Sequence, residues 1–152
     1  YRRQRQMCIR DSYNGDFIAL EKAHLNKGWK LVDNWHPDNK AGKRNGFVDV
    51  PMLEATRPGD RLTLDFRGKA IGIFCVSGPS AGILEYSVDG APFKELDTFT
   101  EWSHNLYIPW VYMLETELKD TDHKLVLRIS KKKNPASQGT ECQIRNFVVN
   151  GR

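Results

Sequence analysis

The sequence has 152 residues, of which 39% are hydrophobic, 11% aromatic and 28% charged. This length and composition indicate one globular domain and exclude a disordered chain. No apolar run approaches the ~18 residues that a membrane-spanning helix needs, so we expect no membrane partner. Twelve glycines and seven prolines indicate many turns, which favours an all-β fold.

Most of the net charge lies at the start of the chain. Lys and Arg number 23 against 19 Asp and Glu, and residues 1–12 (YRRQRQMCIRDS) carry +3 of the resulting +4. RQRQMCIRDS resembles a translated sequencing adapter, so we treat residues 1–12 as an artefactual or disordered tail and residues 13–152 as the domain. We expect the natural protein to extend further upstream. A basic arm that binds nucleic acid is the alternative, but the nearly neutral remainder predicts no nucleic-acid partner.

The predicted elements are short strands. Residues 17–25 (FIALEKAHL) predict either a short helix or a strand, and residues 29–32 predict a strand. From Phe47 onward, apolar and polar residues alternate between turn signals. The individual strands predicted there cover residues 61–66, 69–77, 83–88, 92–96, 107–114, 124–130 and 143–149.

Two local patterns specify how these strands are arranged. Residues 69–77 (KAIGIFCVS) are apolar on both faces, which predicts a strand buried on both sides. Asp89-Gly90 tolerates the positive φ angles of a type I′ turn and predicts a hairpin. Eight or so short strands without a long helix predict a single antiparallel β-sandwich of the jelly-roll kind.

No cofactor or metal site is expected. Cys75 and Cys142 lie in predicted strands, and the chain has neither a CxxC motif nor a Cys/His cluster of zinc-ligand spacing. Their role as small buried side chains is favoured, and a disulfide between them is left open. The chain also lacks GxGxxG, a Walker loop, GxSxG and a Gly-Asp-Ser block.

One fragment carries a catalytic pattern. Asp33-Asn34-Trp35-His36-Pro37 matches the Asp-x-x-His-Pro arrangement of SGNH hydrolases, where the His is the base for an upstream Ser and the Asp orients its ring. In that family the motif leads into a helix, whereas here a polar loop follows. We therefore favour a non-catalytic loop and keep the pair Asp33 and His36 as the alternative.

The densest aromatic segment is TEWSHNLYIPWVY, at residues 100–112. Aromatic faces stack on sugar rings while neighbouring polar groups bind the hydroxyls, so Trp102, His104 and Tyr107 are candidate glycan ligands. The alternative is that the segment belongs to the core. We expect Trp102 and His104 at the surface, and Trp110 and Tyr112 turned inward.

Three motifs carry a family resemblance: GPSAG followed by EYSVDG, the TEWS…PW segment, and the ending KNPASQGTECQIRNFVVNG. Together they resemble the C-terminal β-sandwich of bacterial SGNH (GDSL-type) hydrolases, in which a catalytic α/β/α domain precedes the sandwich. The resemblance covers residues 13–151. Ser80 departs from the pattern, because an Asp is expected at that place in the GPxAG loop.

The resemblance implies that the parent protein is a secreted or periplasmic carbohydrate O-acetyl esterase. Because this chain lacks the nucleophile block, it implies a non-catalytic accessory domain that packs on the missing catalytic domain and contacts glycan. A free-standing carbohydrate-binding module is the alternative, and the end of a catalytic domain with Asp33 and His36 is a further one. A free module would expose Trp102 or Trp110 as a flat platform, whereas an accessory domain would bury them or turn them to a partner.

Overall fold

The computed structural model describes residues 15–37, 41–43 and 46–150, so the predicted tail lies outside the described residues. Within these ranges, eleven strands form two antiparallel sheets packed as a sandwich, which confirms the predicted fold class. The strands are β1 (Gly15–Ile18), β2 (His24–Lys27), β3 (Lys30–Trp35), β4 (Val50–Ala55), β5 (Arg61–Gly68), β6 (Ala70–Ser77), β7 (Ile83–Val88), β8 (Lys94–Asp97), β9 (Ile108–Glu115), β10 (Thr121–Ile129) and β11 (Cys142–Asn150).

The first sheet, sheet A, has the order β3-β4-β11-β6-β9, and β1 pairs with the half of β11 that β4 leaves free. Sheet B has the order β2-β5-β10-β7-β8. Because Gly15 pairs with Asn150, the first and last described strands end side by side. Polypeptide joined to either end therefore leaves the sandwich at the same place.

The core lies between the sheets and follows from the alternation of apolar residues. In sheet B, Leu62 pairs with Leu127 and Leu64 pairs with Leu125, and all four side chains are fully buried. Such cross-strand apolar pairs are the unit of sheet stabilisation. The predicted inward faces of β5 and β10 are thus confirmed.

Both predictions for residues 17–25 are met in part. The segment forms β1, a single 3-10 turn at Leu20–Lys22, and β2. Leu20 is buried in the core, so the turn brings one apolar side chain inward as the chain passes from sheet A to sheet B.

Strand β6 is covered on both faces, as predicted. Ile71, Ile73 and Cys75 point into the main core. On the outer face of sheet A, Val76 belongs to a second apolar cluster. Ala41, Phe47 and Val48 of the β3–β4 connection contribute to the cluster, whose buried members are Trp35, Ala41, Met52, Val76 and Tyr107.

The predicted hairpin at Asp89-Gly90 is also present. Both residues have positive φ angles, 56° and 77°, and the Ala91 amide donates to the Val88 carbonyl at 3.2 Å. The Asp89 carboxylate also reaches β10, where it accepts from the Lys124 amide at 2.8 Å and contacts His123 Nδ1 at 2.5 Å. This turn therefore links three strands of sheet B.

The two cysteines in the strands are free and buried, so the disulfide left open by the sequence is not formed. Burial raises the pKa of the Cys75 thiol to about 12 and also raises that of Cys142, because the thiolate is poorly solvated there. Both residues act as small apolar side chains of the core. No described helix is long and apolar enough to cross a membrane.

Candidate functional site

Five connections lie at one end of the sandwich, opposite Gly15 and Asn150. They are residues 28–29, 56–60, 78–82, 98–107 and 130–141, and we call this end of the sandwich the Trp102 end. The three motifs that carry the family resemblance all contribute to it.

The GPSAG loop and the KNPASQGTE loop are bonded to each other. The Ser137 hydroxyl, which is buried, lies 2.7 Å from the Ala81 carbonyl oxygen. The Gln138 amide donates to the Pro79 carbonyl at 2.9 Å, and the Glu141 amide donates to Ser80 at 2.8 Å. The two motifs thus form one framework. Ser80 takes part in it through its backbone, so this structural role does not need the expected Asp side chain.

Gly78 explains how the GPSAG loop meets the aromatic segment. A Cβ atom at Gly78 would overlap the ring of Tyr107, so this glycine provides the space for that ring. Tyr107 is only 4% exposed and packs edge-on against Trp35, with ring centroids 5.1 Å apart. Its ring has no free face for a sugar. Tyr107 thus packs in the second apolar cluster, and its contact with a ligand stays a prediction.

Trp102 stands on a short, hydrogen-bonded turn. The Thr100 amide donates to the buried Ser103 hydroxyl at 3.1 Å, and the Ser103 amide donates to the Thr100 carbonyl at 3.0 Å. The Trp102 amide donates to the Thr100 hydroxyl at 3.2 Å. Because the backbone around it is bonded, Trp102 is held outward, with 65% of its surface exposed.

His104 is exposed beside the same turn, so the predicted surface position of Trp102 and His104 is confirmed. Its ring meets the buried Phe99 edge-on, with centroids 5.1 Å apart. Phe99 in turn follows Asp97, whose carboxylate accepts from the Phe99 amide at 3.0 Å. His104 is thus an oriented polar group next to an exposed indole.

Trp110 departs from its prediction. It pairs with Cys75, so it lies on the core-facing side of β9, but β9 is an edge strand of sheet A. Its ring therefore remains 37% exposed, and the expectation that it fills the core is wrong. Tyr112 does turn inward and packs against the core. Burial raises its pKa to about 12.

The structure does not bring Asp33 and His36 together as a catalytic pair. His36 Nδ1 lies 3.4 Å from a carboxylate oxygen of Asp49 instead, and both side chains are exposed. Asp33 is exposed on β3. Among the described residues, no group of three or more His, Cys, Asp or Glu is placed to hold a metal ion.

Comparison with known proteins concerns the fold. No protein-family model matches the sequence, and no curated protein matches it. Among solved structures, a two-domain esterase active on acetylated mannans, co-crystallized with mannopentaose, superposes with a TM-score of 0.67 and 15% identity over 91% of this chain and 36% of that one. A family two carbohydrate esterase from Cellvibrio japonicus gives 0.53 and 12%, over 91% and 34% of the two chains.

This chain has the fold of the β-sandwich domain of two-domain carbohydrate esterases. An exo-beta-1,3-galactanase from Phanerochaete chrysosporium also matches, with a TM-score of 0.56 and 10% identity over 88% of this chain and 29% of that one. The chain thus spans about a third of the length of the proteins it matches. At sequence identities of 15%, 12% and 10%, the similarity shows a shared fold.

Proposed function

We propose that this chain is a non-catalytic accessory domain of a bacterial SGNH-type carbohydrate esterase and that it contacts glycan through Trp102. The observation that carries the proposal is the exposed indole of Trp102 on its hydrogen-bonded turn. The fold shared with sandwich domains of carbohydrate esterases supports the same class of protein.

The surroundings of the histidines support a non-catalytic role. His24 and His36 lie near exposed carboxylates, at 3.9 Å and 3.4 Å. His104 packs on Phe99, and His123 has a hydrogen-bond partner at each ring nitrogen. An SGNH-type mechanism needs a histidine that accepts a proton from a serine hydroxyl. All four histidines are described, and each has different neighbours.

The chemistry of the Trp102 end suits a polysaccharide. An indole presents a flat apolar face and one N–H donor, which matches the apolar and hydroxyl-bearing sides of a sugar ring. The exposed neighbours Glu101, His104 and Asn105 supply polar groups beside it. Since the turn is already ordered, little conformational entropy is lost when a ligand binds.

The position of Trp102 also fits a domain within a longer protein. It lies at the end opposite Gly15 and Asn150, where joined polypeptide would leave the sandwich. A ligand at Trp102 is therefore not obstructed by such polypeptide. The free-standing carbohydrate-binding module is a second candidate, favoured by the same exposed platform.

Binding to acetylated mannan, to the same mannan after deacetylation, and to mannopentaose tests the proposal by affinity electrophoresis and calorimetry. We expect Trp102→Ala to weaken binding at least about tenfold, as for an exposed aromatic anchor. Phe93→Ala is the matched control, because Phe93 is an exposed aromatic residue that packs under Arg128 on sheet B, outside the Trp102 end, and its loss should leave binding unchanged. Absence of binding, or equal loss in both variants, would overturn the glycan contact.

The accessory and free-standing candidates differ in what adjoins the domain. The reading frame that encodes this chain should also encode a Gly-Asp-Ser nucleophile block, and the longer protein should release acetate from the mannan. A glycan-binding chain whose reading frame holds no such block would be the free-standing module.

A further inference from the structure

The outer face of sheet A carries an apolar strip that crosses four strands. Phe17 pairs with Val148, Val148 pairs with Gly72, and Gly72 pairs with Met113. Paired residues lie on the same face of a sheet, and these residues alternate with the inward-facing core residues. The strip therefore faces away from the core.

Contacts between its members make this strip continuous. The Phe17 ring stacks on Phe74, with centroids 6.4 Å apart, and Phe47 meets Phe74 edge-on at 5.3 Å. The Met113 side chain lies against Gly72, where an added Cβ atom would come within 2.7 Å of its sulfur. Yet Phe17 remains 51% exposed and Met113 38% exposed.

Among the described residues, the outer face is covered unevenly. Ala41, Phe47 and Val48 of the β3–β4 connection pack with Val76 and Tyr107, whereas Phe17 and Met113 stay exposed. An antiparallel sheet that faces water normally presents polar residues, so an apolar strip with exposed Phe17 and Met113 at its two sides and half-buried Phe74 between them indicates a contact surface.

The position of the strip identifies its occupant. Phe17 is two residues from Gly15, and its partner Val148 is two residues from Asn150, so both ends of the fold lie beside the strip. A domain joined there is held at an effective concentration in the ~mM range. At that concentration a modest apolar surface is sufficient for docking, whereas a free second copy of the chain would have to associate from dilute solution.

We infer that the strip formed by Phe17, Phe74, Val148 and Met113 is the surface on which the catalytic domain of the parent esterase docks. This inference rests on the proposed function. It assigns glycan contact and domain contact to separate places, the Trp102 end and the outer face of sheet A.

The test compares hydrogen exchange in this chain alone with exchange in the two-domain protein encoded by its reading frame. We expect amides of β1 and of β9 around Met113 to exchange at least about tenfold more slowly in the two-domain protein. Phe17→Lys combined with Met113→Lys should abolish that difference, while Leu25→Lys, which changes an exposed apolar residue of sheet B, should preserve it.

Amide spectra of the isolated variants establish that they remain folded. Unchanged exchange at the strip in an active two-domain esterase would overturn the docking surface and leave the proposed function standing. A reading frame without a catalytic domain would overturn the accessory role itself. Sedimentation of the isolated chain as a dimer that the double lysine variant disperses would assign the strip to a second copy and also overturn the inference.

Discussion

The two ends of the sandwich expose aromatic residues in different ways. Trp102 projects from a polar, hydrogen-bonded turn, and its neighbours at the surface are polar. Phe17, near Gly15 and Asn150, lies on Phe74 within the apolar strip. An isolated indole among polar groups matches a ligand that is itself amphipathic, such as a glycan, whereas an apolar strip matches a protein surface.

The difference has a physical origin in how each residue is held. Trp102 gains little from the protein around it, so its orientation depends on hydrogen bonds of the turn. Phe17 is held by packing and by the pairing of β1 with β11. Substitution of Trp102 should therefore weaken glycan binding with little loss of stability. Substitution of Phe17 should lower both the stability of the chain and its binding to the catalytic domain.

Within the aromatic segment, the largest expected effect is at Tyr107. Tyr107→Ala removes a buried ring from the second apolar cluster and should lower the free energy of unfolding by about 3–5 kcal/mol. Trp110→Ala should cost less because that ring is partly exposed, and Trp102→Ala should cost less than about 0.5 kcal/mol. Urea unfolding of the three variants measures this order. Equal, large losses at Tyr107 and Trp102 would show that the whole segment is core.

The fit between the GPSAG loop and the aromatic segment is tested by Gly78→Ala. The added methyl group would overlap the Tyr107 ring and should destabilise the chain by about 1–3 kcal/mol. Gly90→Ala is a suitable control, since an added Cβ there meets no atom within 4 Å and only the positive φ angle is unfavourable. If the two variants unfold at the same urea concentration, the contact is not a tight one.

The turn under Trp102 is tested by Ser103→Ala. This change removes the buried hydroxyl that accepts from the Thr100 amide and should lower the free energy of unfolding by about 1 kcal/mol. Because Trp102 is then less well held, glycan binding should weaken although no candidate contact residue has changed. Ser87→Ala, which removes a buried hydroxyl bonded to the Ala91 carbonyl in the hairpin, should leave binding intact.

The smallest expected effect is the pH dependence of the pair Asp89 and His123. The hydrogen bond to Asp89, and then the Lys119 carbonyl at 2.7 Å, raise the pKa of His123. The hydrogen bond from His123, and then the Lys124 amide, lower the pKa of Asp89. Asp122 on β10 also favours the charged imidazole and lies 3.4 Å from Arg67 of β5.

The two shifts define a window of pH. The His123 contribution is complete below its ordinary pKa of 6.5 and is lost as pH rises through its raised folded value. The Asp89 contribution is complete above 3.8 and is lost as pH falls through its lowered folded value. His123→Gln should therefore destabilise the chain most between these pH values and less in alkali. Urea unfolding of the wild-type chain and of His123→Gln across this range of pH measures the difference.

Much of the fold could be predicted because its signals are local. The alternation of Leu62 and Leu64 and the Asp89-Gly90 turn each depend on a few adjacent residues, and both predictions are confirmed. The surface position of Trp102 followed from its polar neighbours. These features do not require knowledge of which strands pair.

The features of the site that the sequence did not predict have a common cause in long-range pairing. Tyr107 is buried because Gly78, remote in sequence, leaves room for its ring. Trp110 is exposed because β9 happens to be an edge strand. The strip around Phe17 was not predicted, since it arises only when β1 pairs with the free half of β11. Sequence periodicity contains no information on these contacts.

The most direct test of the account is to map where glycan binds by amide and indole NMR shifts on titration with mannopentaose. We predict shifts confined to the Trp102 end, with the largest at the Trp102 indole and at residues 100–105, and none at Phe17 or Met113. Shifts centred on the apolar strip, or the same shifts in Trp102→Ala, would contradict the assignment of glycan and domain contacts to separate surfaces.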